Sequence, residues 1–256
     1  MGPMLRQTLF ALVLLPAAAS GQTVQLSYSA YAAGLNVLNM DAALALAPTS
    51  YRLRLVYRTA GTFGVFIRGQ QDTTVEGQFA NGRAQPQRFV STGVMRGEPR
   101  MTVIDYVGGR PAIRQLTPPS EQEREPVPPD QQRGTIDTLS AMAELIRKVN
   151  DTGRCDGKAM TFDGRRLAEL SARTVGLEFL GSTHLSSFTG AALHCEFDGR
   201  MLGGFKMEDD RESMQRPQHG NAWFAAVTPG GPMIPVRISF RTRWFGDAAM
   251  FITARD

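Results

Sequence analysis

Side chains of alternating polarity run through most of this chain, and they commit it to β-strands before any other property is weighed. Successive side chains of a strand point to opposite faces, so a repeat of two places one apolar face inward and one face in water. Val24, Leu26 and Tyr28 alternate with Gln25, Ser27 and Ser29. Leu38, Met40, Ala42, Leu44 and Leu46 alternate with Asn39, Asp41, Ala43 and Ala45. Tyr51, Leu53, Leu55 and Tyr57 alternate with Arg52, Arg54 and Arg58, and only Val56 interrupts the polar set. The stretches 72–79 and 101–106 carry weaker versions of the pattern, as do 159–161 and 167–175. Near the end, Val236, Ile238 and Phe240 alternate with Arg237, Ser239 and Arg241 within 235–244, and 249–254 returns after Gly246-Asp247. Asn81-Gly82 and Gly108-Gly109 suit tight hairpin turns, whose two central residues need positive φ.

Three segments depart from that pattern. Residues 60–69 are Gly-rich and apolar, and read as a short helix or a bend in the sheet. Residues 117–133 hold Pro118, Pro119, Pro126, Pro128 and Pro129 among charged residues, which predicts an exposed loop between two halves of one domain. Residues 138–149 carry Leu139, Met142, Leu145, Ile146 and Val149 at helical spacing after Asp137, a capping residue. Phe162-Asp163-Gly164-Arg165 reads as a hairpin turn, and the same four residue types at 197–200 as shared turn chemistry. The stretch 208–221 is polar and reads as a loop. The expectation is a mainly β protein. It is one long, curved antiparallel sheet, an open barrel or β-spiral, with one amphipathic helix packed into its concavity and a single domain over 22–256.

Residues 1–21 have the order of a secretory signal peptide: Arg6, an apolar run from Leu9 to Leu15, Pro16, then small residues to Gly21. The expected location is therefore periplasmic. No other stretch is long and apolar enough to span a bilayer, so no transmembrane anchor is expected in the mature chain. Loss of Arg6 takes the formal charge from +4 to 4 − 1 = +3, too little for a nucleic-acid partner. The two cysteines, Cys155 and Cys195, read as one disulfide in an exported chain. Closing a loop of 40 residues is worth about 4 kcal/mol in the chain-entropy model. A redox-active pair is the lesser alternative, because no Cys-x-x-Cys lowers a thiol pKa.

Few groups suit catalysis. The histidines are His184, His194 and His219, and no Gly-x-Ser-x-Gly elbow accompanies them. His194 beside Cys195 lacks the further spaced ligands of a metal site. Gly203-Gly204 and Gly230-Gly231 lack the Lys-Ser/Thr of a phosphate loop. No catalytic residue, metal or cofactor is therefore expected.

The second half carries an order of motifs. Gly134-Thr135-Ile136-Asp137-Thr138-Leu139-Ser140 opens the helix, and Cys155 precedes Phe162-Asp163-Gly164-Arg165-Arg166. Gly190-Ala191-Ala192-Leu193-His194-Cys195 leads to Trp223, and Pro235-Val236-Arg237-Ile238 opens the last hairpin. In these motifs the chain resembles the exported bacterial proteins of the domain of unknown function 3108 family, from about Tyr28 to the C-terminus. The resemblance implies an all-β envelope protein and supports pairing Cys155 with Cys195. In architecture alone it extends to the spiral or open-barrel sheets of periplasmic lipoprotein carriers.

The leading functional expectation is a non-catalytic periplasmic protein that binds a protein or peptide partner and supports cell-envelope integrity. Arg165, Arg166 and Arg237 are its candidate contacts. The alternative is a carrier of a lipid or acyl chain, with Leu53, Leu55, Leu139 and Met142 lining a cavity. An enzyme of unknown type comes third.

Overall fold

The computed structural model describes residues 23–242 and 246–253. The leader expected at 1–21, and the strand ends expected at Trp244 and Ala254, lie outside the described residues. Among those residues the strands are β1 (Thr23–Ala32), β2 (Leu35–Leu46), β3 (Ser50–Thr59), β4 (Gly69–Ala80), β5 (Arg83–Met95), β6 (Glu98–Val107), β7 (Arg110–Thr117), β8 (Gly157–Phe162), β9 (Leu167–Leu180), β10 (Gly190–Gly203), β11 (Gln218–Ala226), β12 (Met233–Thr242) and β13 (Gly246–Thr253). They form one antiparallel sheet in the order 7-6-5-4-3-2-1-13-12-11-10-9-8. Two meanders thus spread from the central pair β1–β13, where the first and last described strands meet. The sheet is mainly β and unclosed, as the alternation predicts.

The predicted inner and outer faces hold. On β3, Tyr51 and Leu53 are buried while Arg52 and Arg54 face water. Those arginines pair across the strand boundary with Glu76 and Asp72 of β4. Asn81 and Gly82 both have positive φ, as do Gly108 and Gly109. The Gly-rich segment 60–69 contains a one-turn helix, α1 (Gly61–Phe66). Two turn readings need correction. Phe197-Asp198-Gly199-Arg200 is no turn but the middle of β10, where Gly220 of β11 leaves room for the Phe197 ring. The polar stretch 208–221 yields a short helix, α3 (Arg211–Gln215), and the start of β11.

Helix α2 (Thr138–Thr152) packs inside the curve against β3, β4, β5, β8 and β12. Asp137 caps it, accepting the Ser140 N–H at 2.8 Å and the Ser140 hydroxyl at 2.6 Å. Tyr51 of β3 in turn donates to that hydroxyl at 2.8 Å. Gly153, with φ of 65°, closes the helix by donating to the Val149 carbonyl. The most buried stripe is Ser140, Ala143, Ile146 and Val149. Leu139, Met142 and Leu145 flank it, partly buried, so the inward face is rotated from the one the large residues suggest. The small Ser140 and Ala143 let the helix backbone lie close to the sheet. Asn150 fixes the far end, exchanging hydrogen bonds with the backbone of Met233 at the start of β12.

In the Pro-rich segment Pro119, Pro126, Pro128 and Pro129 are exposed, while Ser120 and Val127 are buried. The segment crosses the gap between the two sheet edges, β7 and β8, and its apolar and backbone groups are used there. Just after the segment, Ile136 bonds on both sides to β8, to Met160 and Phe162. The Glu125 N–H reaches the Phe205 carbonyl, and Val127 is buried against Phe162 and Leu167.

Candidate functional site: an arginine cluster at the open end

The helix fills one end of the curved sheet, and the opposite end is built differently. There the turn joining β8 to β9 folds over the inner face of β6. A Cβ added to Gly164 would come within 2.8 Å of Thr102 and 3.6 Å of Ile104. Asp163 makes this turn local and rigid. Its Oδ1 accepts the N–H groups of Arg165 at 3.0 Å and Arg166 at 2.7 Å. Its Oδ2 accepts Nε of Arg166 at 2.8 Å. The end of β10 clamps the turn from outside. Gly204, at φ of 75°, lies so near the Arg165 carbonyl that a Cβ would sit 1.8 Å from its oxygen. Only glycine satisfies both demands.

Into this end come four guanidinium groups from three distant segments. Arg100 enters from β6 and forms a two-point pair with Glu123, each bond 2.6 Å long. Arg124 donates to the Gly204 carbonyl at 2.8 Å. Arg166 pairs with Asp163. Arg165 is the exception. Its side chain is 13% exposed, and its nearest carboxylate oxygen, on Glu123, is 3.6 Å from Nη1. Both Nη1 and Nη2 are buried without a hydrogen-bond partner. Asp209 also acts on Arg124. With Glu98 acting on Arg100, the four cations face Glu98, Glu123, Asp163 and Asp209, and Arg165 is set apart by its unpartnered Nη groups rather than by a shortage of carboxylates.

The electrostatics follow from burial and from these neighbours. Burial, then repulsion from Arg100 and Arg124, holds the Arg165 pKa below its ordinary value against the pull of Glu123 and Asp163. Burial and Arg166 do the same to Arg124. Hydrogen bonding to Arg100 pulls Glu123 down. Asp163 is also lowered, because Arg166 and the two turn N–H groups outweigh the cost of its burial. Beside the arginines the inner face stays polar. The Tyr57 hydroxyl donates to Gln71 at 2.6 Å, Gln71 donates to Ser91 at 2.5 Å, and Ser91 lies 2.6 Å from Thr73. Burial raises the Tyr57 pKa, and the nearby Arg166 charge opposes the rise. Guanidinium groups with unused donors recognise carboxylate or phosphate oxygens, which they can engage at two points.

Of the three predicted contact arginines, the structure brings Arg165 and Arg166 together. Arg237 lies elsewhere, on β12, its guanidinium 4.7 Å from the Trp223 ring and 5.3 Å from the Phe251 ring. The four predicted cavity residues gather around α2. Leu53 is buried in the core, and Leu55, Leu139 and Met142 pack against it. Cys155 and Cys195 are joined, with Cα atoms 6.2 Å apart. The bond ties the chain leaving α2 to the middle of β10. His194 stacks on Trp223 and lies 3.2 Å from Glu178, and His219 pairs with Asp198 across two outer strands. Arg100, Glu123, Arg124, Tyr57 and Gln71 escape sequence reasoning. Arg100 alternates in phase with Thr102 and Ile104, which places it inward, but β6 has no clean apolar face to reveal this.

Comparison with known proteins bears on family and fold. No curated protein matches this sequence. A beta-barrel-like protein of domain of unknown function DUF1849 from Brucella abortus has a similar solved structure. The TM-score is 0.54 at 14% identity, over 92% of this chain and 97% of that one. At that identity the likeness shows the fold alone. The family model described as protein of unknown function DUF3108 matches residues 27–253, nearly the whole sheet, and the chain belongs to that family.

Proposed function

We propose that this is a non-catalytic periplasmic binding protein that captures an acidic group of a protein or peptide partner at the arginine cluster and so supports cell-envelope integrity. The observation that carries the reading is Arg165. A buried cation without a good partner costs several kcal/mol, and an incoming carboxylate offsets that cost by supplying the missing acceptor. Arg166, half exposed beside Tyr57, is the group a ligand meets first. The leader-like N-terminus and the paired cysteines support export. The reading as a lipid or acyl-chain carrier has less support. The space its cavity needs is occupied by α2, with Ile146 and Val149 buried in the same core as Leu53.

The test is a fluorescence-polarisation titration with a labelled hexaglutamate peptide. Saturable binding is expected, weakened at least tenfold by Arg165→Gln with Arg166→Gln and by raising salt. Equal affinity of the double variant and the native chain, or no binding by either, overturns the proposal.

A further inference from the structure

An unclosed sheet leaves two edges, and unpaired N–H and C=O groups on an edge are a template for another strand. The two edges of this sheet are treated differently. β7 carries Pro111, Arg110 and Arg114, residues that discourage strand addition, and Arg114 is held by Asp105 of β6. The other edge is β8, but β8 covers β9 only over Leu167–Ala172. Beyond it Asp156 takes the Thr174 N–H at 3.2 Å and the Thr174 hydroxyl at 2.9 Å, and the chain leaves toward Cys155. From Val175 to Leu180, β9 has β10 on one side and, among the described residues, no strand on the other. This stretch bears Val175, Leu177 and Phe179, which are 47%, 79% and 72% exposed. It holds no proline and no cation. Its one charge, Glu178, accepts the Trp223 indole N–H at 2.8 Å.

We propose that the Val175–Leu180 edge of β9 is a docking site for an extended segment of another polypeptide. The segment adds as an antiparallel strand, with apolar side chains at alternate positions to cover Leu177 and Phe179. The backbone edge selects the occupant. A lipid chain covers the side chains but leaves the edge N–H and C=O groups unmet. Length argues against a second copy of this chain: six residues span about 20 Å. Pairing two such edges falls well short of the roughly 1,200 Å² that a stable dimer buries. The inference uses no residue of the arginine cluster, so the two proposals fail separately.

The probe is the labelled peptide Lys-Val-Thr-Val-Thr-Val-Lys, acetylated and amidated. Its control carries N-methyl groups on alternate amides, which remove the donors of one peptide edge. Saturable binding is expected for the plain peptide, and a loss of at least tenfold for the methylated one. Leu177→Arg with Phe179→Arg, at exposed positions, is expected to weaken binding by the same factor, and Arg165→Gln to leave it unchanged. Hydrogen exchange of the amides in 175–180 should slow on binding. The proposal is overturned by absent binding, by equal binding of both peptides or of the Leu177/Phe179 variant, or by slowed exchange elsewhere only. Flotation with phosphatidylcholine vesicles that depends on Leu177 and Phe179, or a dimer whose protected amides are 175–180, would assign the edge to another occupant and overturn it too.

Discussion

The two ends of this curved sheet solve the same problem with opposite chemistry. At the helix end the concavity is filled by one local element. α2 lays Ala143, Ile146 and Val149 on the core, and its polar groups are met by designated partners: Asp137 by Ser140, Ser140 by Tyr51, Asn150 by Met233. Even Glu144 of the helix has little exposed surface and accepts the Ala84 N–H at 2.7 Å. At the other end the space is filled by pieces of β6, the Pro-rich segment and the β8–β9 turn, and the Arg165 donors among them are left without a hydrogen-bond partner. The comparison separates an end whose polar groups are paired from one that leaves the Arg165 donors unpaired. If the proposed function holds, the first end carries stability and the second carries binding, and each can be perturbed without the other.

The largest effect that tests this contrast belongs to the disulfide at the helix end. Cys155→Ser with Cys195→Ser is expected to lower the unfolding free energy by about 4 kcal/mol, read by urea titration. A loss well under 1 kcal/mol would mean that the exit of α2 is secured without it. Next comes Ile146→Ala, expected to cost about 3 kcal/mol because it empties space in a packed core. At the arginine end the sign should reverse. Arg165→Met leaves Glu123 paired with Arg100 and removes a buried, unpartnered charge. It is expected to stabilise the protein by about 1 kcal/mol while abolishing hexaglutamate binding. Destabilisation would show that Arg165 holds the fold.

Acid should divide the two ends more subtly. Glu123 and Asp163 have lowered folded pKa values, so they stabilise the protein above about pH 4 and lose that contribution as pH falls through those values. Asp137 is raised by burial, so its ionisation costs stability at neutral pH, and that cost disappears below the ordinary aspartate range. Hydrogen exchange at pH 3 against pH 6 is expected to open 120–125 and 163–166 first, with α2 amides still protected. Simultaneous opening would erase the distinction. The smallest effect concerns Asp156, held down to about 2 chiefly by its bonds from Thr174. The stability gap between the native chain and Asp156→Asn should shrink as pH falls from about 4 toward 2, seen by thermal melts.

The strands with a clean apolar face, β1 to β3 and β12, were legible because each buries one side and wets the other. α2 was legible because its spacing and its Asp137 cap agree. β10 was not, since Phe-Asp-Gly-Arg at 197–200 has turn chemistry. The facing Gly220 overrides that local preference by giving Phe197 a place to pack. The Pro-rich segment was read as irregular and exposed; Pro119, Pro126, Pro128 and Pro129 are exposed, but Ser120 and Val127 are buried, which local composition did not reveal. A chain without regular structure can still be held when a gap between two sheet edges supplies backbone partners.

What the sequence by itself determined was therefore the alternation, the helix, the cysteine pair and the Asp163 turn, all settled by contacts within a few residues or by bulk patterning. Tertiary structure alone decided which edge of the sheet stayed bare, and which arginines met. Arg165 and Arg166 are neighbours in sequence, but Arg100, Glu123 and Arg124 reach them only because the β8–β9 turn folds over β6 and is clamped by Gly204. The isolation of the Arg165 donors depends on segments that no local pattern connects, and a cation is left unpaired only once the surrounding water is gone.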